Sequence, residues 1–231
     1  MEAYTSLVIV LSELRRSIRA VGLSVGIGSL ALFFLAPQLL TVVQGHLSEK
    51  LYFFSVAGPF LAHVKLALFA VLFVLMPWLM TVLWRALAKP FRVKGLQLIL
   101  FVFFTVLLFY AGTMFCYFIT LPFGVKFLLG FGSQDLQPVI SISRFVNFVV
   151  VFVLAFGVVF ELPVFMVFLA KVGVCPRGFF EKNRRYALLL ISILSAILTP
   201  TPDVVNMLLM GGPLYLLYEV GILVLMAMRI K

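Results

Sequence analysis

Residues 98–121 contain no charged side chain, and the run ends only at Pro122. An α-helix rising 1.5 Å per residue needs roughly 20 mainly apolar residues to cross about 30 Å of hydrocarbon, and this segment is long enough. Five more runs of similar character follow or precede it. The chain as a whole is 64% hydrophobic and 11% charged, where a soluble domain averages about 45–50% and about 25%, so a water-soluble globule is excluded. Twenty-six Phe in a chain of 231 residues are also more than one core could hide. The expected fold is all-α, a polytopic membrane protein with six transmembrane helices forming one domain over residues 1–231.

The six spans are placed by hydropathy and by their proline and glycine punctuation. The first covers about residues 20–43, with Pro37 bending its far end. The second, about 64–84, is interrupted by Pro77, and the third, about 98–121, stops at Pro122. The fourth, about 145–170, contains Glu161 followed by Pro163. The fifth, about 187–199, is only thirteen residues, roughly 20 Å of helix. A turn with sequence TPTPD at 199–203 leads into the sixth, about 204–228, which Gly211, Gly212 and Pro213 break near its middle. A span this short predicts locally thinned lipid around the last hairpin.

Charge sets the orientation. Of eighteen Lys and Arg, fourteen fall in the N-terminal segment, the second-to-third connection, the fourth-to-fifth connection and the tail. Only Lys50, Lys65, Lys126 and Arg144 fall on the other side. The positive-inside rule then puts both termini in the cytoplasm, which an even number of spans requires. The net charge of +10 is thereby a topology signal, and nucleic acid is not an expected partner. Arg15 and Arg16 ahead of an apolar run resemble a targeting signal, but no small-x-small site follows and five spans come after, so the segment reads as the flank of the first helix.

Enzyme chemistry finds no support in the residues. There is no phosphate-cradling glycine loop, no Ser/His/Asp set and no H-E-x-x-H. His46 and His63 lie in the first outer connection without a carboxylate or Cys cluster, and Cys116 and Cys175 have no second ligand nearby. No metal or cofactor is expected. The halves show no hydropathy repeat of the kind that builds secondary transporters.

The acids inside apolar runs are the candidates for function. A carboxylate within hydrocarbon costs at least about 2.5–3.5 kcal/mol, so one that persists usually faces a cavity or a partner. Glu161 lies nine residues before Ala170, and Glu219 nine before Met228, so the two share a depth and suggest one polar pocket. Pairing with a hydroxyl of another helix is the alternative for each. Asp203 at the end of the outer turn reads as an acidic N-cap of the last helix. Near the N-terminus, Leu7, Leu11, Leu14 and Ile18 make an apolar stripe, as in a helix lying on the membrane surface. Glu13 is away from that stripe, either weakly paired with Arg16 or offered to a cationic partner.

Four segments carry a resemblance: S-E-L-R-R at 12–16, F-G-V-V-F-E-L-P at 156–163, T-P-T-P-D-V at 199–204 and G-P-L-Y-L-L-Y-E-V-G-I at 212–222. In this order and spacing they resemble the TatC family, the receptor subunit of the twin-arginine protein translocase. The resemblance implies a concave bundle in the cytoplasmic (inner) membrane that binds twin-arginine signal peptides of folded cargo at its cytoplasmic face. It also implies assembly with TatA/TatB-type single-span proteins, contact with membrane lipids, self-association, and export driven by the proton-motive force. By position in the motifs, Glu13 is the signal-binding acid, with Arg15 and Arg16 beside it. Glu161 and Pro163, with Glu219, form the intramembrane contact for partner helices, and Pro202 and Asp203 mark the outer hairpin.

The chain departs from the family pattern at several places. Val10 and Ser17 replace a family His and Arg, and Met207 replaces a Gln. A second signal-binding carboxylate belongs in the second inner connection, where this chain has Lys94 in a basic loop from Arg85. Glu2 and Glu181 are the other inner-side acids available to compensate. Two alternatives follow: a paralogue that keeps the scaffold but not twin-arginine recognition, and a small proton-coupled transporter working through Glu161 and Glu219.

Overall fold

The computed structural model describes residues 2–45, 51–91, 95–130, 139–198 and 204–229. Among the described residues the structure is helical apart from short turns and one pair of two-residue strands. The helices are α1 (Glu2–Phe33), α2 (Ala36–Gln44), α3 (Gly58–Ala88), α4 (Leu96–Phe115), α5 (Leu121–Leu129), α6 (Ile142–Val159), α7 (Leu162–Lys171), α8 (Arg177–Lys182), α9 (Arg184–Leu198) and α10 (Val204–Ala227). The strands β1 (Leu51–Tyr52) and β2 (Ile140–Ser141) pair in parallel, Leu51 opposite Ile140. Among the described residues, four helical stretches are long and apolar enough to cross a membrane: Gly58–Ala88, Leu96–Phe127, Ile142–Lys171 and Met207–Ala227. The pair Ser17–Phe33 and Ala36–Gln44, bent by 74°, makes a fifth when read as one broken span. The expected short fifth span is α9, whose 15 residues reach about 22 Å and fall below the length of a full crossing.

Three expectations about proline and glycine are corrected. Pro77 lies inside an unbroken α3, and Pro213, with Gly211 and Gly212, inside an unbroken α10. Pro122 does not end the third run: a π-helical turn, Cys116–Thr120, leads directly into α5, with Leu121 N–H bonded to the Cys116 carbonyl. The common cause is the solvent. In hydrocarbon no water competes for backbone groups, so the missing proline donor is absorbed locally and glycine gains little by unwinding. One turn beyond Pro77, Thr81 Oγ1 donates to the Pro77 carbonyl at 2.7 Å. Ahead of Pro122 the helix widens into the π turn, a local adjustment of the backbone bonding. Pro37 behaves as expected, in the first turn of α2 just beyond the bend at Phe34 and Leu35. A fourth correction concerns the N-terminus, where no break separates a surface helix from the first span, since α1 is continuous.

The chain divides into two compact units, one of Met1–Leu107 with Val139–Val150 and the other of Leu108–Pro138 with Val151–Lys231. In the first, α1 packs along α3, closely enough that a Cβ on Gly28 would come within 3.1 Å of Val71. Ala62, Leu66, Ile142 and Val146 form a buried cluster covered by Leu40, Val43 and Leu51. Trp84 is buried at the other end of α3, its Nε1–H donating to Thr105 Oγ1 at 2.8 Å and its ring stacked on Phe101 with centroids 4.8 Å apart.

In the second unit, α10 packs on α7, α8 and α9. Two glycines let α4 and α6 approach here. A Cβ on Gly112 would lie 2.6 Å from Phe160 Cγ, and one on Gly157 would lie 2.6 Å from the Phe109 ring. The Gly157 notch of α6 thus receives the Phe109 ring of α4, and the Gly112 notch of α4 receives the ring of Phe160, just past the end of α6. Small residues at helix contacts are what membrane helices use in place of a hydrophobic driving force.

Candidate functional site

Three acids are the candidates, Glu13 in the first unit and Glu161 and Glu219 in the second, and the structure gives each a different surrounding. Glu13 sits on α1 with its side chain 32% exposed and forms an ion pair and hydrogen bond with Lys89 Nζ, the residue that caps α3. The pairing follows from α1 lying along α3, and α3's last turns are held by Trp84 on Thr105 and Phe101. Glu13 is therefore neither paired locally within α1 alone nor simply offered outward: it already holds a cation from the end of α3. Arg15 is exposed; Arg16 lies in α1 with its side chain outside the described residues. Lys94 is outside them as well.

Glu161 occupies the step between α6 and α7. Pro163 in the first turn of α7 has no N–H, so the Val159 carbonyl loses its helical donor, and the chain turns tightly with Glu161 N–H bonded to the Val158 carbonyl at 3.1 Å. The helix resumes at once, Phe165 N–H donating to the Glu161 carbonyl at 3.1 Å. Glu161 itself is 4% exposed. Phe160 beside it fills the Gly112 notch, and Pro163 Cα would lie 3.4 Å from a Cβ on Gly221 of α10. The acid and the proline thus mark the point where α7 presses on α10.

Glu219 lies two residues from Gly221 on α10, about 200° around the helix, on the side away from α7. Its carboxylate is gripped by Arg184 from the start of α9, Nε to Oε1 at 2.9 Å and Nη2 to Oε2 at 3.0 Å. Tyr215 O–H donates to Oε1 at 3.0 Å, and Tyr218 O–H donates to the Phe180 carbonyl of α8 at 2.7 Å. The forked geometry is the strong form of a guanidinium–carboxylate contact. This corrects the expectation of one pocket shared by Glu161 and Glu219: Glu219 instead ties the α8–α9 corner to α10. Glu181, named above as an acid available to compensate, is likewise engaged, by Arg177 one turn back at 3.0 Å. Pro202 and Asp203 of the outer hairpin fall outside the described residues. No group of three His, Cys, Asp or Glu positioned for a metal ion occurs among the described residues.

The residues that sequence reasoning missed are Lys89, Arg184 and Tyr215 as partners, and Gly112 and Gly157 as notches. The ion-pair partners lie 76 and 35 residues from their acids, so only tertiary structure pairs them. The tyrosine was legible, since Tyr215 and Glu219 stand at i and i+4 on one helix face.

Comparison with known proteins places these features in context. A family model, TatC, the Sec-independent protein translocase protein, matches residues 10–213. The Sec-independent protein translocase protein TatC of Carboxydothermus hydrogenoformans is 34% identical over 218 residues, covering 93% of this chain and 90% of that protein. That of Koribacter versatilis is 35% identical over 191 residues, covering 82% of this chain and 70% of the other. Among solved structures, the crystal structure of the twin arginine translocase receptor TatC in DDM matches with a TM-score of 0.79 at 29% identity, covering 93% of this chain and 98% of that one.

Proposed function

This chain belongs to the TatC family of Sec-independent protein translocase proteins, and from that premise we propose that it is the receptor and core subunit of a twin-arginine translocase. It is a multi-pass membrane protein with several apolar helices. In this reading it has six spans in one functional domain of the inner membrane, α9 being the short one, and both termini are cytoplasmic. The basic bias of the even connections supports that orientation. Glu13, with Arg15 and Arg16 around it, receives the twin-arginine region of a signal peptide. TatA/TatB-type single-span helices dock at the step made by Glu161 and Pro163, and copies of the chain self-associate within the lipid.

The observation that carries the reading is the state of Glu13. It is partly exposed at the end of the unit where α1 meets α3, and it is already bound to a cation that a guanidinium can replace. An arginine offers two N–H groups to a carboxylate at once, where the Lys89 ammonium offers one point of charge. Glu161 supports the second half of the proposal, because a buried acid beside a helix step is retained at a cost and usually faces a partner. The transporter alternative loses its ground with family membership and with Glu219 committed to Arg184.

One observation favours a second reading. Lys89, a residue of the same basic connection that lacks the family acid, occupies Glu13, which is what a paralogue that no longer reads twin arginines would show. Export separates the two. In cells lacking their own TatC, this chain with its cognate partners should export a folded reporter carrying an Arg-Arg signal, and Glu13→Ala and Glu161→Ala should each lower export at least tenfold. Wild-type export by both variants would refute the assignment of these acids, and no export by the parent chain would favour the paralogue.

A further inference from the structure

We propose that Lys89 is a built-in competitor for the signal-binding carboxylate and sets the affinity threshold for signal peptides. The inference rests on the reading of Glu13 given above and goes beyond it by assigning a role to the residue that holds Glu13 in the free protein. Lys89 is the residue that follows α3, and the helix end that presents it is anchored by buried Trp84, hydrogen-bonded to Thr105 and stacked on Phe101. The ammonium is therefore tethered next to Glu13 rather than supplied from solution. A tethered group acts at high effective concentration, so even a weak contact competes with a ligand that must diffuse in.

The contact is weak. The side chains of Lys89 and Glu13 are 57% and 32% exposed, and exposed pairs of this kind are worth about 0.2–1 kcal/mol. Competition of that strength reduces peptide affinity by a factor of roughly 2 to 6. The factor applies equally to any peptide cation that must displace Lys89 from Glu13. An Arg-Arg peptide, able to bind Glu13 through a fork of N–H groups, retains useful affinity after the reduction. A Lys-Lys peptide, which can only exchange one ammonium for another, drops out of range. Lys89 thus does not change the ratio of the two affinities. It moves both down so that only the stronger one matters.

The test measures equilibrium binding of fluorescent Arg-Arg and Lys-Lys signal peptides to the full chain in lipid nanodiscs. Lys89→Met should tighten both peptides by about 2- to 6-fold. Arg85→Met, which removes the same charge one turn back on exposed α3 surface, reports general electrostatics and should give a smaller gain. In a Glu13→Gln background, Lys89→Met should do no more than Arg85→Met. Lys89→Arg keeps the charge, grips Glu13 with a guanidinium, and should weaken binding severalfold. This arm needs no loss of fold or charge to be read. Equal gains from Lys89→Met and Arg85→Met, or a gain that survives Glu13→Gln, or unchanged binding in Lys89→Arg, would overturn the competitor role. If Glu13→Gln leaves Arg-Arg binding unaltered, the receptor assignment of Glu13 fails first, and that outcome is distinct from the others.

Discussion

Replacing Gly112 with alanine tests whether the glycine notches hold α4 and α6 together. A Cβ there would lie 2.6 Å from Phe160 Cγ, 2.7 Å from Phe160 Cβ and 2.8 Å from the Phe156 carbonyl oxygen. Carbon atoms prefer about 3.5–4.0 Å, so the shortfall is about 1 Å. The Phe160 ring could rotate, but its Cβ is fixed to the chain just after α6 and the Phe156 carbonyl is α6 backbone, so neither can swing aside. The helices must part, and overpacking of this kind costs about 1–3 kcal/mol. Alanine's better helix propensity returns about 0.5–1 kcal/mol, leaving a net loss of up to about 2.5 kcal/mol. At roughly 2–4 °C per kcal/mol for a chain of this size, the midpoint of thermal unfolding in detergent, followed by circular dichroism, should fall by up to about 10 °C. Gly26→Ala on α1 is the control, because nothing lies within 4 Å of its Cβ position. A midpoint for Gly112→Ala equal to or above that of Gly26→Ala would refute the close-approach argument.

Three further outcomes follow from the same structure. Trp84→Phe strips the buried Thr105 hydroxyl of its donor and should cost about 1–3 kcal/mol in the same unfolding assay, with Thr105→Val recovering part of the loss. Arg184→Gln and Glu219→Gln should each lower the midpoint by a few degrees at most, since the pair is 46% and 30% exposed, and the double variant should be no worse than the poorer single one. An impermeant maleimide should leave intact cells unlabelled and, after permeabilisation, react with partly exposed Cys175 but not with buried Cys116. Labelling of Cys175 from outside would reverse the proposed orientation.

The long apolar helices were legible because hydropathy is a local property of the chain. Residues 98–121 announce themselves without any tertiary information, and the helical stretch found there, Leu96–Phe115 continued by the π turn into α5, covers them. Glu161 stood out for the same reason, a carboxylate amid apolar residues, and its 4% exposure agrees. Proline and glycine were misjudged because their rules were formed in water. Pro77, Pro122 and Pro213 all sit within continuous helical stretches, where nothing outside competes for the backbone. Pairings at long range were invisible. The place of Glu13 off the apolar stripe of α1 does not say that it meets Lys89, nor does the depth of Glu219 say that Arg184 holds it. Equal depth along two helices proved a poor guide to contact, because depth fixes one coordinate and the facing side of each helix fixes another.

The most direct test of the receptor assignment is site-specific photocrosslinking from position 13, in membranes, to a radiolabelled signal peptide. The account predicts a crosslink to the Arg-Arg peptide that fades with a Lys-Lys peptide and is outcompeted by unlabelled Arg-Arg peptide. A crosslink from position 13 that is the same for both peptides, or none at all while partner helices still crosslink from position 161, would contradict it.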